Sequence, residues 1–199
     1  MWERFRTSVW YYRSLFVALA VLLLFFRLLP LGAASGNWPW SSVPNWVLGL
    51  FGREPQFWPG PDLLMCLTIA WVMRRPDYLP ALLIGLVFLI EDMILMRPPG
   101  LWAALILIAT EFLRGRAALT RELSFAVEWL LAAGIMLALM IVYRLIFVVS
   151  LMPQPGFAFA LLQTIWSSLC YPLVVILFSA VLDIRKPATG EVDSYGRRL

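Results

Sequence analysis

The chain has 199 residues, of which 62% are hydrophobic and only 14% are charged, and its mean hydropathy is +0.83. Soluble domains carry roughly a quarter charged residues, so this composition predicts a protein that is surrounded mostly by lipid. The net charge is +4, but the basic residues are scattered between apolar runs, where they report membrane topology and argue against a nucleic-acid partner. Histidine is absent, which removes the commonest metal ligand and the commonest general base at neutral pH.

Six apolar runs follow one another along the chain and predict an all-α integral membrane protein, a six-helix transmembrane bundle in a single domain of residues 1–199. The predicted spans cover approximately residues 12–31, 60–73, 79–96, 100–113, 125–151 and 157–182. A membrane helix needs about 20 residues, so the first, third, fifth and sixth runs are long enough. The second and fourth runs are short, and either borrow flanking residues or lie inside the bundle, where neighbouring helices cover their polar ends.

The placement of basic residues predicts the orientation. With the N-terminus inside, the inner segments hold 12 of the 16 basic residues and the outer segments hold only Arg53 and Arg97. The remaining two, Arg27 and Arg144, lie within spans. The positive-inside rule therefore predicts that both termini are cytoplasmic. A cleavable signal peptide is the alternative for the first run, but Arg27 and Pro30 interrupt the approach to any cleavage site.

The segment of residues 36–59 differs in composition from the rest of the chain, because tryptophan and proline recur in it. Indole rings favour the headgroup layer, so we expect an outer loop lying on the membrane surface. Two interpretations remain open for this loop. It either anchors the chain to lipid alone or forms an aromatic docking surface for another protein, with Trp46 and Phe51 as candidate contacts.

Four ionisable residues lie inside predicted spans at a similar depth near the outer side: Arg27, Glu91, Asp92 and Arg144. Such residues are costly in a membrane and are candidate functional groups. Neighbouring residues on a helix point about 100° apart, so we expect one of the two carboxylates to face an arginine and the other to reach the interface. We interpret the four as structural charges and not as a proton relay, because no chain of such groups continues through the midplane. On the inner side, Glu111 is placed to pair with Arg114.

The sequence shows no catalytic site and no metal site. It contains no nucleophile motif, no P-loop and no dinucleotide fingerprint, so we predict neither enzyme activity nor a cofactor. Cys66 and Cys170 lie inside apolar runs and are assigned to packing. In the fifth run, Ala126, Ala133 and Gly134 recur at roughly helical spacing and are candidates for a small-residue contact face with a partner helix.

The middle of the chain carries a set of residues in a recognisable order: Pro61-Asp62-Leu63-Leu64, Trp71, Arg74-Arg75-Pro76, Pro80, Gly85-Leu86, Asp92 and Pro98-Pro99-Gly100-Leu101-Trp102. With Pro172 in the last span, these residues resemble the rod shape-determining protein MreD family of the bacterial cell-elongation machinery. A membrane aspartate, Asp92, followed eight residues later by Gly100 carries most of the resemblance. The family-motif residues are Asp62, Asp92, Pro99, Gly100 and Pro172.

The resemblance implies a non-enzymatic role in the bacterial inner membrane. MreD-like proteins bind MreC, in a complex with RodA, a penicillin-binding transpeptidase and MreB that supports peptidoglycan synthesis. The family's fold is similar to that of the substrate-binding subunits of energy-coupling-factor transporters. This similarity supplies a second interpretation, a small-molecule (vitamin) binding subunit of a membrane transporter. Copurification distinguishes the two, since MreC favours the first and a bound vitamin favours the second.

Overall fold

A computed structural model describes residues 9–29, 60–117, 124–152 and 156–181. Within these ranges the chain is helical and contains no β-strand, as the sequence predicts. The elements are α1 (Val9–Leu28), α2 (Leu63–Arg74), a 3-10 helix (Pro76–Tyr78), α3 (Ala81–Ile94), α4 (Leu101–Gly115), α5 (Phe125–Val149) and α6 (Phe157–Val181).

Three helices of the described part are long and apolar enough to cross a membrane: α1, α5 and the Phe157–Leu177 part of α6. Large apolar side chains cover their outward faces. Phe25 on α1, Leu130 on α5 and Leu173 on α6 are 58%, 67% and 66% exposed. Surfaces of this kind are unfavourable in water and suit contact with lipid. The prediction of a membrane protein with transmembrane helices is confirmed to this extent.

The short second run forms the centre of the bundle. Of the 12 residues of α2, the 11 from Leu64 to Arg74 are buried. A helix that is apolar on every side is one that neighbours surround, and α2 packs against α1, α4 and α6. Phe16 of α1 meets Trp71 of α2 edge to face, with ring centroids 5.6 Å apart. Of the two interpretations offered for this run, the structure favours the one that places it inside the bundle.

The third run gives a shorter helix than we expected. The apolar run covers residues 79–96, but Pro80 precedes α3 and Leu95 ends it, so the helix has 14 residues. At 1.5 Å per residue it is about 21 Å long, less than the roughly 30 Å of a hydrocarbon core. The last apolar residues of the run belong to the turn towards α4, where Met96 has a φ of 52°.

The helices pack as two sequential pairs, α3 with α4 and α5 with α6, and α2 contacts one helix of each pair. Gly85 lets α3 approach α4 closely, because a Cβ at this position would lie 3.1 Å from a Leu107 methyl carbon. A continuous apolar core runs through these contacts and contains large buried side chains such as Phe88, Ile106 and Tyr171. The core leaves charged groups at both ends of α2, and these groups form the candidate site.

Candidate functional site

Arg27 joins three helices at the end of the bundle where α2 begins. Its Nη1 lies 2.5 Å from Oε1 of Glu91 on α3 and 3.2 Å from Oδ2 of Asp62 at the start of α2. Both carboxylates are buried, whereas the Arg27 side chain is 24% exposed. Removing one member of such a cluster leaves an uncompensated charge in a poorly solvated place, so the cluster has a structural role. Of the predicted intramembrane charges, the structure therefore brings Arg27 and Glu91 together.

Asp62 was singled out in the sequence only as a family-motif residue, and its ion pair with Arg27 was missed. Asp62 also begins α2, since its Oδ1 accepts a hydrogen bond from the Met65 N–H at 3.1 Å in the manner of an N-cap. Its own N–H donates to Ser167 Oγ on α6 at 2.8 Å. One aspartate thus fixes the start of α2 against both α1 and α6.

Asp92 is fully buried, so the expectation that the carboxylate not facing an arginine would reach the interface is wrong. Its Oδ2 accepts the backbone N–H groups of Gly100 and Ala103 at 3.1 and 3.2 Å. These N–H groups belong to the start of α4, where helical donors lack intrahelical partners. Gly100 itself has a φ of 86°, a left-handed conformation that favours glycine. The eight-residue spacing between Asp92 and Gly100 therefore has a local cause, because α3 caps the helix that follows it.

Arg144 lies on α5, where its guanidinium carbon is 5.4 Å from the ring centroid of Phe157. Arg97 follows α3, and its guanidinium carbon is 5.5 Å from the ring centroid of Trp102. Both distances are in the range of cation–π contacts. Arg27, Arg97, Arg144 and Asp62 all line a cavity of about 460 Å³ at this end of the bundle. From the sequence we expected Arg27 and Arg144 at a similar depth and Arg97 in an adjoining outer segment. A cavity was not predicted.

A second buried cluster lies at the other end of α2, about 18 Å away along a helix of 12 residues. Arg74 Nη1 pairs with Oε1 of Glu128 on α5, and the hydroxyl of Tyr171 on α6 donates to the same oxygen at 3.0 Å. All three residues are buried. This pair was not predicted from the sequence, although a lone glutamate in an apolar run, Glu128, is itself a signal for a buried cation.

The remaining predicted positions fall in several places. Glu111 pairs with Arg114 at 2.7 Å, which confirms that expectation. Cys66 is buried and Cys170 is partly buried, and both are free thiols. Pro99 lies in the turn between α3 and α4, and Pro172 lies inside α6. Trp46 and Phe51 lie outside the described residues.

The candidate small-residue face is on α5. Ala126 and Gly134 are exposed and Ala133 is partly buried. A Cβ added at Gly134 would meet nothing within 4 Å, so this part of α5 faces open space. The fold therefore leaves two of the three residues available for contact with a partner helix.

The chemistry of these sites is that of charge pairing and helix capping. Among the residues that the structure describes, no group of three or more histidine, cysteine or acidic side chains is placed to hold a metal ion. No protein-family model, curated protein or solved structure matches this chain. The resemblance to the MreD family accordingly stays a prediction from the residues quoted above.

Proposed function

We propose that this protein is a non-enzymatic, multi-pass component of the bacterial cytoplasmic (inner) membrane that holds a partner protein in the bilayer. The proposed partner is MreC, and the proposed process is peptidoglycan synthesis by the cell-elongation complex with RodA, a penicillin-binding transpeptidase and MreB. The partner's name rests on the MreD resemblance, whereas the intramembrane mode of binding rests on the residues of α5.

The observation that carries the proposal is the open surface at Gly134. Helices associate in lipid through close packing at small residues, since the hydrophobic effect provides no driving force there. Gly134 and Ala126 lie exposed on α5, as does Ala138, among large outward side chains such as Leu130 and Leu137. Small residues on an outward helix face let the backbone of a partner helix approach closely.

The buried charges around Arg27 support a structural role for the end of the bundle at which α2 begins. Arg27 is shared by Asp62 and Glu91, and Asp92 is engaged by two backbone N–H groups. Groups held in this way fix helix positions and are not free to move protons along a path. A bundle whose helices are held by such contacts and that presents small residues on one outward face is the arrangement that a membrane scaffold needs.

The proposal includes six crossings with both termini in the cytoplasm. Three helices are long enough to span on their own, and α2, α3 and α4 complete the bundle as shorter helices. The 12 basic residues in the inner segments against two in the outer segments supply the orientation. In this orientation the Arg27 cluster lies on the outer side and the Arg74 cluster on the inner side.

The test is copurification of MreC with the full chain from native membranes in mild detergent. Gly134→Leu should abolish MreC recovery at normal protein abundance, because the leucine has room in the bundle itself but occupies the space that a partner helix would need. Gly115→Leu is the matched control, since a Cβ at Gly115 also meets nothing within 4 Å. Retention of MreC by the Gly134 variant would exclude this face of α5 as the contact.

The loop residues are tested separately. A Trp46→Ala/Phe51→Ala double variant probes the aromatic segment and leaves α5 intact. If this variant loses MreC and Gly134→Leu keeps it, the interface lies in the outer loop. If the wild-type protein itself recovers no MreC, the proposed partner is wrong.

The second candidate function is a small-molecule binding subunit of a transporter. The cavity of about 460 Å³ favours it, because ligand sites for small molecules commonly measure roughly 300–1,000 Å³. Mass spectrometry of the same purified sample decides between the two functions. A tightly bound vitamin together with an ATPase module, and no MreC, would replace the first proposal.

A further inference from the structure

The cavity beside Arg27 is lined by basic and apolar side chains together. Three guanidinium groups and one carboxylate contribute its charge: Arg27, Arg97, Arg144 and Asp62. Arg27 already has two acidic neighbours, Asp62 and Glu91. Arg97 lies in the turn after α3, partly exposed and stacked over Trp102. The lining therefore carries more positive than negative charge and favours an anion.

An independent feature of the lining is a buried donor that lacks an acceptor. Trp102 lines the cavity with more than nine-tenths of its surface buried, and its Nε1 has no hydrogen-bond partner among the described residues. Buried indole N–H groups normally have an acceptor, because leaving one unpaired is costly. An oxygen of a bound anion next to Arg97 would supply that acceptor.

Four methionines also line the cavity. Met65 lies on α2, Met96 in the turn after α3, and Met136 and Met140 on α5. Methionine is unbranched and polarizable, so it adapts to apolar groups of irregular shape. A ligand that suits both the arginines and the methionines has an anionic head and an apolar body.

We propose that this cavity binds one organic phosphate, with the phosphate against the Arg97 guanidinium and the Trp102 indole N–H and the apolar body against the methionines. Guanidinium groups bind phosphate through paired N–H donors, and a phosphate offers more acceptor oxygens than a carboxylate. Arg97 and Arg144 lie near helix ends, which is the depth of lipid headgroups. The same chemistry is found in a bilayer phospholipid and in a soluble organic phosphate. The proposal does not depend on MreC binding.

Native mass spectrometry of the full chain in detergent tests the site. The probes are dioleoyl phosphatidylglycerol, the zwitterionic dioleoyl phosphatidylethanolamine, and phenyl phosphate as a soluble organic phosphate. We expect one phosphatidylglycerol per chain, bound at least about tenfold more tightly than phosphatidylethanolamine. A tenfold difference in Kd corresponds to about 1.4 kcal/mol of binding free energy. Displacement of the lipid by phenyl phosphate at millimolar concentration would support the anion site and assign it to a soluble ligand.

Two variants and a matched control locate the binding. Arg97→Gln removes one cation outside the helices. Met140→Trp fills part of the cavity with an apolar ring and does not change the charge. Both should lower the occupancy by about tenfold. Arg116→Gln is the control, because its guanidinium also stacks on an aromatic ring, Phe112, but does not line the cavity.

The proposal is overturned if phosphatidylglycerol binds equally to all variants or no better than phosphatidylethanolamine. Thermal unfolding of each variant shows whether it is folded. If Met140→Trp fails to fold, Arg97→Gln alone still tests the proposal. Copurification of MreC is measured on the same samples. If a variant loses the lipid and retains MreC, the lipid site in the cavity is supported independently of MreC binding. Failure of this proposal and failure of the proposed function therefore give different results.

Discussion

The indole Nε1 of Trp129 lies 2.8 Å from the carbonyl oxygen of Ser168, which is the carbonyl that Pro172 leaves without a helical donor. In an uninterrupted α-helix this carbonyl would accept the N–H of the residue four positions later. Proline has no N–H, so the carbonyl needs another donor in a membrane, where water is scarce. The neighbouring helix α5 supplies that donor, and the bond joins the two longest helices of the described structure.

Replacing Trp129 with phenylalanine tests this relationship. Trp129→Phe should destabilise the bundle by about 1 kcal/mol, because it leaves the Ser168 carbonyl unpaired. In a Pro172→Ala background the same change should cost less, since an N–H at position 172 can then reach the carbonyl. Unfolding of the four proteins in mixed micelles measures the difference. An equal cost in both backgrounds would show that the proline and the indole are not coupled.

The shared arginine of the outer cluster gives the second prediction. Arg27→Leu should destabilise the protein by about 3 kcal/mol, because it leaves Glu91 and Asp62 buried without their cation. Adding Glu91→Gln should recover part of the loss, since one of the two uncompensated charges is removed. Arg116→Leu, at an exposed position just after α4, should change stability by less than about 0.5 kcal/mol. If the Arg27/Glu91 double variant is no more stable than the Arg27 variant, the ion pair is not the source of the effect.

The third prediction concerns the cap that α3 provides for α4. Asp92→Ala should destabilise the protein by about 1–2 kcal/mol, the usual range for loss of a capping acceptor. Asp92→Asn should cost less, because an amide oxygen still accepts from the Gly100 and Ala103 N–H groups. Hydrogen exchange at the start of α4 measures the effect locally. Equal exchange in the alanine variant and the wild type would refute the capping role.

The sequence predicts the helical class and several helix boundaries correctly because strong local signals mark them. The apolar runs that begin at Phe125 and Phe157 give α5 and α6 their starts. The end of α3 was placed too late, because Leu95 and Met96 are apolar residues in a turn. Hydropathy alone cannot tell an apolar turn from a last helical turn.

Some members of the candidate site, such as Arg27, Glu91 and Asp92, were predicted from the sequence, but their contacts were not. Depth along a helix follows from residue number, so Arg27 and Glu91 were placed at one level from the sequence. Their contact joins positions 64 residues apart and depends on how α1 and α3 rotate about their axes. Rotation follows from packing of the whole bundle, which is also why the Arg74–Glu128 pair and the cavity were missed.

The last prediction concerns the orientation of the chain in the membrane. We expect cytoplasmic termini and outer loops near residues 36–59, 97–99 and 153–156, because 12 of the 16 basic residues fall in the inner segments of that topology. The native thiols Cys66 and Cys170 are first replaced by alanine, and single cysteines are then placed at Ser41, Gln154 or Thr189. In intact spheroplasts, an impermeant maleimide should label the first two positions and not the third. Lysed membranes serve as the control, in which all three should react. Labelling at Thr189 in intact cells would invert the orientation, and it would also place the Arg27 cluster and its cavity on the cytoplasmic side.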